Sequence, residues 1–315
     1  MGFCGEVINF RMLNISLCGF SRIGNFALKQ NTEMNEKKTE REPNYVDLID
    51  LEKAIKDKNP KLLKWMPRFI LLYIKRKIHQ DELNDLFYRT RNGTYAEFLE
   101  TGLKEMGPTI TISGLENLPK TGGVYVTANH PLGGIDGAAL IQACLQVRPD
   151  NKFFVNDILM QVTPMQKVFV PVNKHGRNDK NYRDRFEETY SSDNCLIIFP
   201  AGLVSRRQKK RKIEDLRWKK SIIQKSIQYD KPIVPVHINA RNSNKFYNLA
   251  YWRKKIGIKA NIEMFYLADE MYKQNGKKIH LTFGKPISAS HFDKTKNPEE
   301  WVQWLKEKVY SLKGK

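Results

Sequence analysis

The 315-residue chain has no apolar run approaching the ~20 residues that a helix needs to cross a bilayer. Residues 12–20 follow Arg11 and resemble a short signal core, but no clear small-x-small cleavage site comes after them. Cysteine is scarce. Cys4, Cys18, Cys144 and Cys195 form no CxxC pair and no metal-ligand spacing, which argues against a disulfide scaffold or zinc centre and for free thiols in a reducing compartment. Cys195 opens an apolar, strand-like run ending at Phe199 and reads as a small core residue rather than a nucleophile. Several signatures are also missing: the G-x-S-x-G elbow, the Walker A loop, G-x-G-x-x-G and H-E-x-x-H. Acidic residues are few, 34 against 54 basic ones, and the formal charge of +20 predicts attraction to a polyanion, either nucleic acid or an anionic membrane surface. A hydrophobic fraction of 41% is enough for a real core. The expected setting is cytoplasmic, peripheral on the inner face of the cell membrane.

Residues 1–33 differ in character from the rest of the chain and are read as an uncertain extension, which a start at Met34 would explain. Residues 34–107 carry helical spacing. Within them, 61–77 has a short apolar centre, Trp65 and Tyr73, and flanking basic residues, with Pro67 as a kink. It fits either an interfacial membrane helix or a core-packing helix with solvated ends. Each Lys or Arg near an anionic surface adds about 1 kcal/mol, so five or six would anchor it weakly.

From residue 108 the pattern switches to period two. Strands are predicted at 109–113, 124–128, 152–155, 168–172, 196–199, 233–238 and 279–283, alternating with helices at 138–147, 182–190 and 218–229. This order predicts an α/β fold over 108–290, with a mixed, largely parallel sheet flanked by helices, and a closing C-terminal helix in 291–315.

The chemistry centres on Ala128-Asn129-His130-Pro131-Leu132-Gly133-Gly134-Ile135-Asp136, where a strand runs through a polar turn into a helix. Imidazole titrates near neutrality and can accept a hydroxyl proton, an effect worth roughly 10²–10⁴-fold in rate. A carboxylate on the other ring nitrogen fixes the tautomer. With no convincing protein nucleophile, the substrate must supply the attacking group. His237 reads as a satisfied core residue, and His175 carries no usable pattern.

Asn129-His130 with Asp136, then Phe199-Pro200-Ala201-Gly202, then the Pro235 strand resemble, in order and spacing, the glycerolipid acyltransferases of the lysophosphatidate type over residues 108–287. The resemblance implies that His130, paired with Asp136, is general base for a lipid hydroxyl attacking an acyl-coenzyme A or acyl-carrier-protein thioester. It places the Phe199–Gly202 turn beside the acceptor and Pro235 in support of the pocket, with no metal and no bound cofactor.

Three departures stand out. Five residues rather than four separate His130 from Asp136, and the Gly133-Gly134 pair could absorb the extra one because glycine accepts unusual φ values. Ala201 stands where the family has glutamate. The basic block offers Lys174 or Arg177 without clean alignment, leaving Arg206 and Arg207 to clamp a carboxylate or phosphate. A similar arrangement marks a hemolysin-like branch that includes O-acyltransferases for aminoacyl lipids, which makes a hydroxyacyl amino-acid lipid an alternative acceptor to lysophosphatidate. The expected partners are thus an anionic membrane surface, the thioester donor and a lysolipid acceptor. Nucleic acid is not expected, because charge is its only support. The competing reading is a non-catalytic basic lipid- or nucleic-acid-binding protein.

Overall fold

The structure is a computed structural model and describes residues 45–156, 160, 162–172, 180–208, 212–258 and 261–314. Residues 1–33, the basic-block candidates Lys174 and Arg177, and His175 lie outside the described residues.

Five helices lead into the sheet: α1 (Leu51–Lys58), α2 (Pro60–Trp65), α3 (Arg68–Lys77), α4 (Gln80–Thr90) and α5 (Tyr95–Met106). The single helix expected over 61–77 is two helices, because Met66 is extended and Pro67 caps α3 from outside. Neither fully buries a residue: Ile70, Leu71 and Ile74 are half-buried while Trp65, Phe69 and Leu72 are exposed, so the segment packs by one side only. By contrast, α5 has a capping box from Thr94 and Glu97 and a left-handed Gly107 at its end. Its Leu99, Leu103 and Met106 share one cluster with Val124 and Val126, so the α/β core extends upstream of residue 108.

The sheet contains β1 (Thr109–Ser113), β2 (Val124–Ala128), β3 (Lys152–Asn156), β4 (Phe169–Val172), β5 (Cys195–Ile198), β8 (Ile233–Asn239) and β9 (Lys278–Phe283), in the order β1-β9-β8-β2-β5-β3-β4. Between β5 and β8 a small ribbon forms from β6 (Arg206–Arg207) and β7 (Ile213–Glu214). All pairings in the large sheet are parallel except β8 with β9. The sheet is therefore mixed and largely parallel, as the alternation of elements predicts.

Every residue of β2 is buried, which is why the strand reads as a continuous apolar run. Its neighbours are β5 on one side and β8 on the other. The chain runs out to β3 and β4 on the first side and to β9 on the second, so the carboxyl end of β2 lies at a switch point in strand order. Loops there stand in a crevice that open α/β sheets use for ligands.

Helix α6 (Gly134–Leu145) packs with α5 on one face of the sheet. The other face is covered by α8 (Ser221–Tyr229) and α11 (Pro298–Tyr310), through Ile222, Ile223, Trp301, Leu305 and Val309. The remaining helices are α7 (Lys180–Ser191), α9 (Asn244–Lys255) and α10 (Leu267–Tyr272). Cys144 and Cys195 are buried free thiols, and burial foremost pushes Cys144 up, so neither is a ready nucleophile. Because Leu103 lies in the shared core, Leu103→Ala is expected to lower unfolding free energy by about 2–5 kcal/mol, measured as a shift in the urea midpoint.

Candidate active site

The ladder between β2 and β8 ends at Ala128 opposite Val236, and the Asn129 side chain continues it. Its amide nitrogen donates to the Ile238 carbonyl at 3.0 Å and its oxygen accepts from the Ile238 N–H at 2.7 Å. The backbone is thereby free to turn while still tied to the sheet. His130 is the first residue of that turn.

The turn closes on Asp136, a fully buried carboxylate in the first turn of α6. One of its oxygens accepts from the Leu132 N–H at 2.8 Å, the Gly133 N–H at 3.2 Å and His130 Nδ1 at 3.1 Å. The other accepts from the Gly137 N–H at 2.8 Å. A carboxylate at a helix N-terminus satisfies otherwise unpaired amides and suits the dipole. The additional residue between His130 and Asp136 is taken up at Gly133, whose φ of 108° is open to glycine and strained for other residues. A side chain there would also come within 3.3 Å of Leu267 on α10, and one at Gly134 within 3.1 Å of Met271.

Asp215 was not singled out by sequence reasoning. It follows β7, and its carboxylate accepts from the His130 N–H at 3.1 Å, from Ser205 Oγ at 2.5 Å and from Trp218 Nε1 at 2.9 Å. The Ser205 N–H returns a bond to the His130 carbonyl at 2.7 Å. Burial pushes Asp215 up from the ordinary carboxylate range, opposed by its bonds to Ser205 and Trp218. The only signal in the sequence was a Glu-Asp pair ending a basic run, and nothing local tied it to a histidine 85 residues earlier.

Phe199 stacks on the His130 ring with centroids 4.2 Å apart and is braced edge-on by Phe153. The turn behind it holds because the Gly202 N–H donates to the Phe199 carbonyl and Lys219 N–H to that of Pro200. Ala201 is buried. Pro235 sits in β8 opposite Thr127, two residues short of the loop, as a wall of the strand beneath the site.

Arg206 is not free: its guanidinium meets the buried Glu263 at 3.2 Å, donates to the Val204 carbonyl at 2.8 Å and lies over Phe246. Arg253 reaches the same Glu263 at 2.7 Å. Arg207 alternates to the opposite face of the ribbon, and its Nε has no hydrogen-bond partner among the described residues.

Chemically this is a histidine with one ring nitrogen held and one available. With Nδ1–H donated to Asp136, Nε2 is the position able to accept a proton. Burial works against charging the ring, but the Asp136 charge and hydrogen bond, with Asp215 further away, carry His130 above the ordinary imidazole value. Among the described residues no cluster of His, Cys, Asp or Glu could hold a metal ion.

Gly133→Ala is expected to cost on the order of 1–3 kcal/mol in urea unfolding. It should also lower the His130 midpoint toward about 6.5 in an NMR titration, as the Asp136 contact loosens.

The chain is similar to known proteins over most of its length. A family model described as "Acyltransferase" matches residues 53–315. A lyso-glycine lipid O-acyltransferase of Phocaeicola vulgatus is 45% identical over 266 residues, covering 84% of this chain and 95% of its own length. One from Bacteroides thetaiotaomicron is 44% identical over 267 residues, with 84% and 97% covered. The crystal structure of the 1-acyl-sn-glycerophosphate acyltransferase PlsC from Thermotoga maritima aligns over 78% of this chain and 90% of its own, at 17% identity and a TM-score of 0.45. With a family match running from the first helix to the last, and relatives this similar over most of its length, the chain belongs to the acyltransferase family and is an acyltransferase.

Proposed function

We propose that this enzyme is a peripheral O-acyltransferase that moves a fatty acyl chain from a thioester to the hydroxyl of a lysolipid, with His130 as general base. The observation that carries the reading is the His130 Nδ1 to Asp136 contact at 3.1 Å, on a loop whose other ring nitrogen is left for substrate. His130 Nε2 takes the proton of the acceptor hydroxyl as its oxygen attacks the thioester carbonyl. The new C–O bond forms, the C–S bond breaks, and the imidazolium returns the proton to the departing thiolate. Asp136 stabilises the imidazolium between these events. The stacked Phe199 limits how far the ring can rotate.

The relatives' names make a glycine-type lysolipid the favoured acceptor, ahead of lysophosphatidate. Ala201 fits that choice, since a side chain without charge stands where the lysophosphatidate enzymes have glutamate. Arg206 is held by Glu263, so Arg207, whose Nε has no hydrogen-bond partner among the described residues, is the arginine we assign to the acceptor's carboxylate. The donor is acyl-coenzyme A or acyl carrier protein.

Membrane docking at the inner face completes the reading. Among the described residues no helix is long and apolar enough to cross a membrane. Yet α2 and α3 expose Trp65 by 83% and Phe69 by 61%, with Leu72 beside them. Lys61, Lys64, Arg68, Lys75 and Arg76 surround this apolar strip. The end of α9 adds exposed Trp252 and Ile256 beside Lys254 and Lys255. Tyr73 of α3 bonds to Tyr266 in the Ile262–Tyr266 turn that packs against α9, which brings the two helices near one another. Aromatic residues with a basic border suit the interface of an anionic bilayer.

His130→Ala is expected to lower kcat/KM with a lysoglycine lipid by roughly 10²–10⁴-fold, and near-wild-type turnover would sink the mechanism. Since only the neutral ring accepts a proton, kcat/KM should rise with pH through a midpoint above about 6.5. Asp136→Asn should move that midpoint down and lower the plateau. In sedimentation with vesicles, the wild type should bind phosphatidylglycerol more than phosphatidylcholine, and Phe69→Glu should reduce that binding several-fold. Equal binding by wild type and variant would remove α3 from the docking face.

A further inference from the structure

Behind the His130 loop lies a cleft of about 760 Å³, a size typical of small-molecule sites. Asn129, Pro131 and Ser205, which flank or bond to His130, form one wall. The cleft is ringed by Lys212, Arg241, Lys277, Lys278 and Lys313, and among the described residues no Asp or Glu lines it. Lys212 is paired with Glu214 and Arg241 donates to Asn244. Lys277, Lys278 and Lys313 have no ionic partner among the described residues.

His237 lies in the same cleft and is only 3% exposed. It is not the satisfied core histidine expected from sequence, because its Nδ1 is buried with no hydrogen-bond partner among the described residues. Burial foremost, with Lys313 and His280 nearby, pulls it down to about 4, so it meets a ligand as a neutral donor or acceptor. A buried polar atom left unpaired is destabilising and points to a group that satisfies it. Three unpaired ammonium groups around one concavity repel each other until an anion of more than one charge enters.

We propose that this cleft binds the phosphate-bearing carrier end of the acyl donor, delivering the thioester to His130 past Asn129 and Pro131. The inference rests on the thioester donor proposed above. Two features favour the donor over the acceptor. Five lining side chains are basic and none is acidic among the described residues, and the exposed apolar strip on which a lipid would arrive is at α2, α3 and α9. Lysines act as point charges for phosphate, whereas a single carboxylate needs fewer of them. The phosphate could belong to the nucleotide end of coenzyme A or to the 4′-phosphopantetheine arm it shares with carrier protein.

The test is titration calorimetry on the full chain with coenzyme A, 3′-dephospho-coenzyme A and 4′-phosphopantetheine as separate probes. The wild type is compared with Lys277→Glu/Lys278→Glu/Lys313→Glu and with the corresponding triple Gln variant, which guards against misfolding of the first. Coenzyme A should bind the wild type, weaken as salt rises, and lose at least about tenfold in affinity in both variants. The donor KM should rise to match, with kcat and acceptor KM unchanged. A loss that persists with 4′-phosphopantetheine assigns the cleft to the shared arm, and one that needs the 3′-phosphate assigns it to the nucleotide. Absence of binding by all three probes, equal affinity in wild type and variants, or a rise in acceptor KM instead would overturn the proposal. Calorimetry needs no turnover, so the two readings fail separately. Coenzyme A binding lost in the variants of a chain that transfers no acyl group would sink only the proposed function. Acyl transfer with coenzyme A binding untouched by the variants would sink only this inference.

Discussion

The burial of one carboxylate, Asp136, is the constraint on which the site depends. A charge removed from water must be matched by close donors, and four are supplied within a short stretch of chain: three backbone amides and His130 Nδ1. The same side chain starts α6, closes the loop and aims the imidazole. Loop shape, helix start and ring orientation therefore vary together, and no part of the turn can shift without leaving a donor or the carboxylate unpaired. Gly133 makes this possible by adopting a φ of 108°, which lets the longer loop return to the helix without displacing α10.

A second buried carboxylate, Asp215, secures the loop from the other side. It holds the His130 N–H, Ser205 and Trp218, while Tyr310 and Lys306 of the C-terminal helix bond to its backbone N–H and carbonyl. The position of the histidine is thus tied both to the helix on one sheet face and to the helix on the other. A rigid support of this kind would keep the base proposed above in place without reorganisation at the moment of reaction. Arg206, Glu263 and Arg253 form a third charged cluster beyond the ribbon, where the arginine works as a structural strut.

The molecule also separates its surfaces by chemistry. Exposed aromatic and aliphatic residues with basic neighbours gather on α2, α3 and α9, while lysines without a nearby apolar strip gather around the cleft behind the loop. Among the described residues, basic side chains border two surfaces of different character. One suits a lipid interface and the other a soluble polyanion. In the proposed reaction an acyl chain passes from a water-soluble carrier to a lipid, and each of these surfaces would serve one of the two reactants.

Local pattern determined much of this. The continuous apolar run of β2, the alternation of strands and helices, and the mixed sheet followed from side-chain periodicity, which acts over a few residues. The pairing of His130 with Asp136 was legible for the same reason, since six positions of chain and two glycines confine the partners to each other. Folding decided the rest. Asp215 meets His130 across 85 residues, Arg206 meets Glu263 across 57, and His237 reaches a lysine-lined cleft because antiparallel β8 and β9 bring their ends together. The exposure of α2 and α3 was likewise open, because an apolar helix with basic flanks satisfies a core or a membrane equally well. Sequence spacing specifies which groups can meet within a turn of chain; which distant charges share a buried site is set only when the sheet order brings them into one low-dielectric volume.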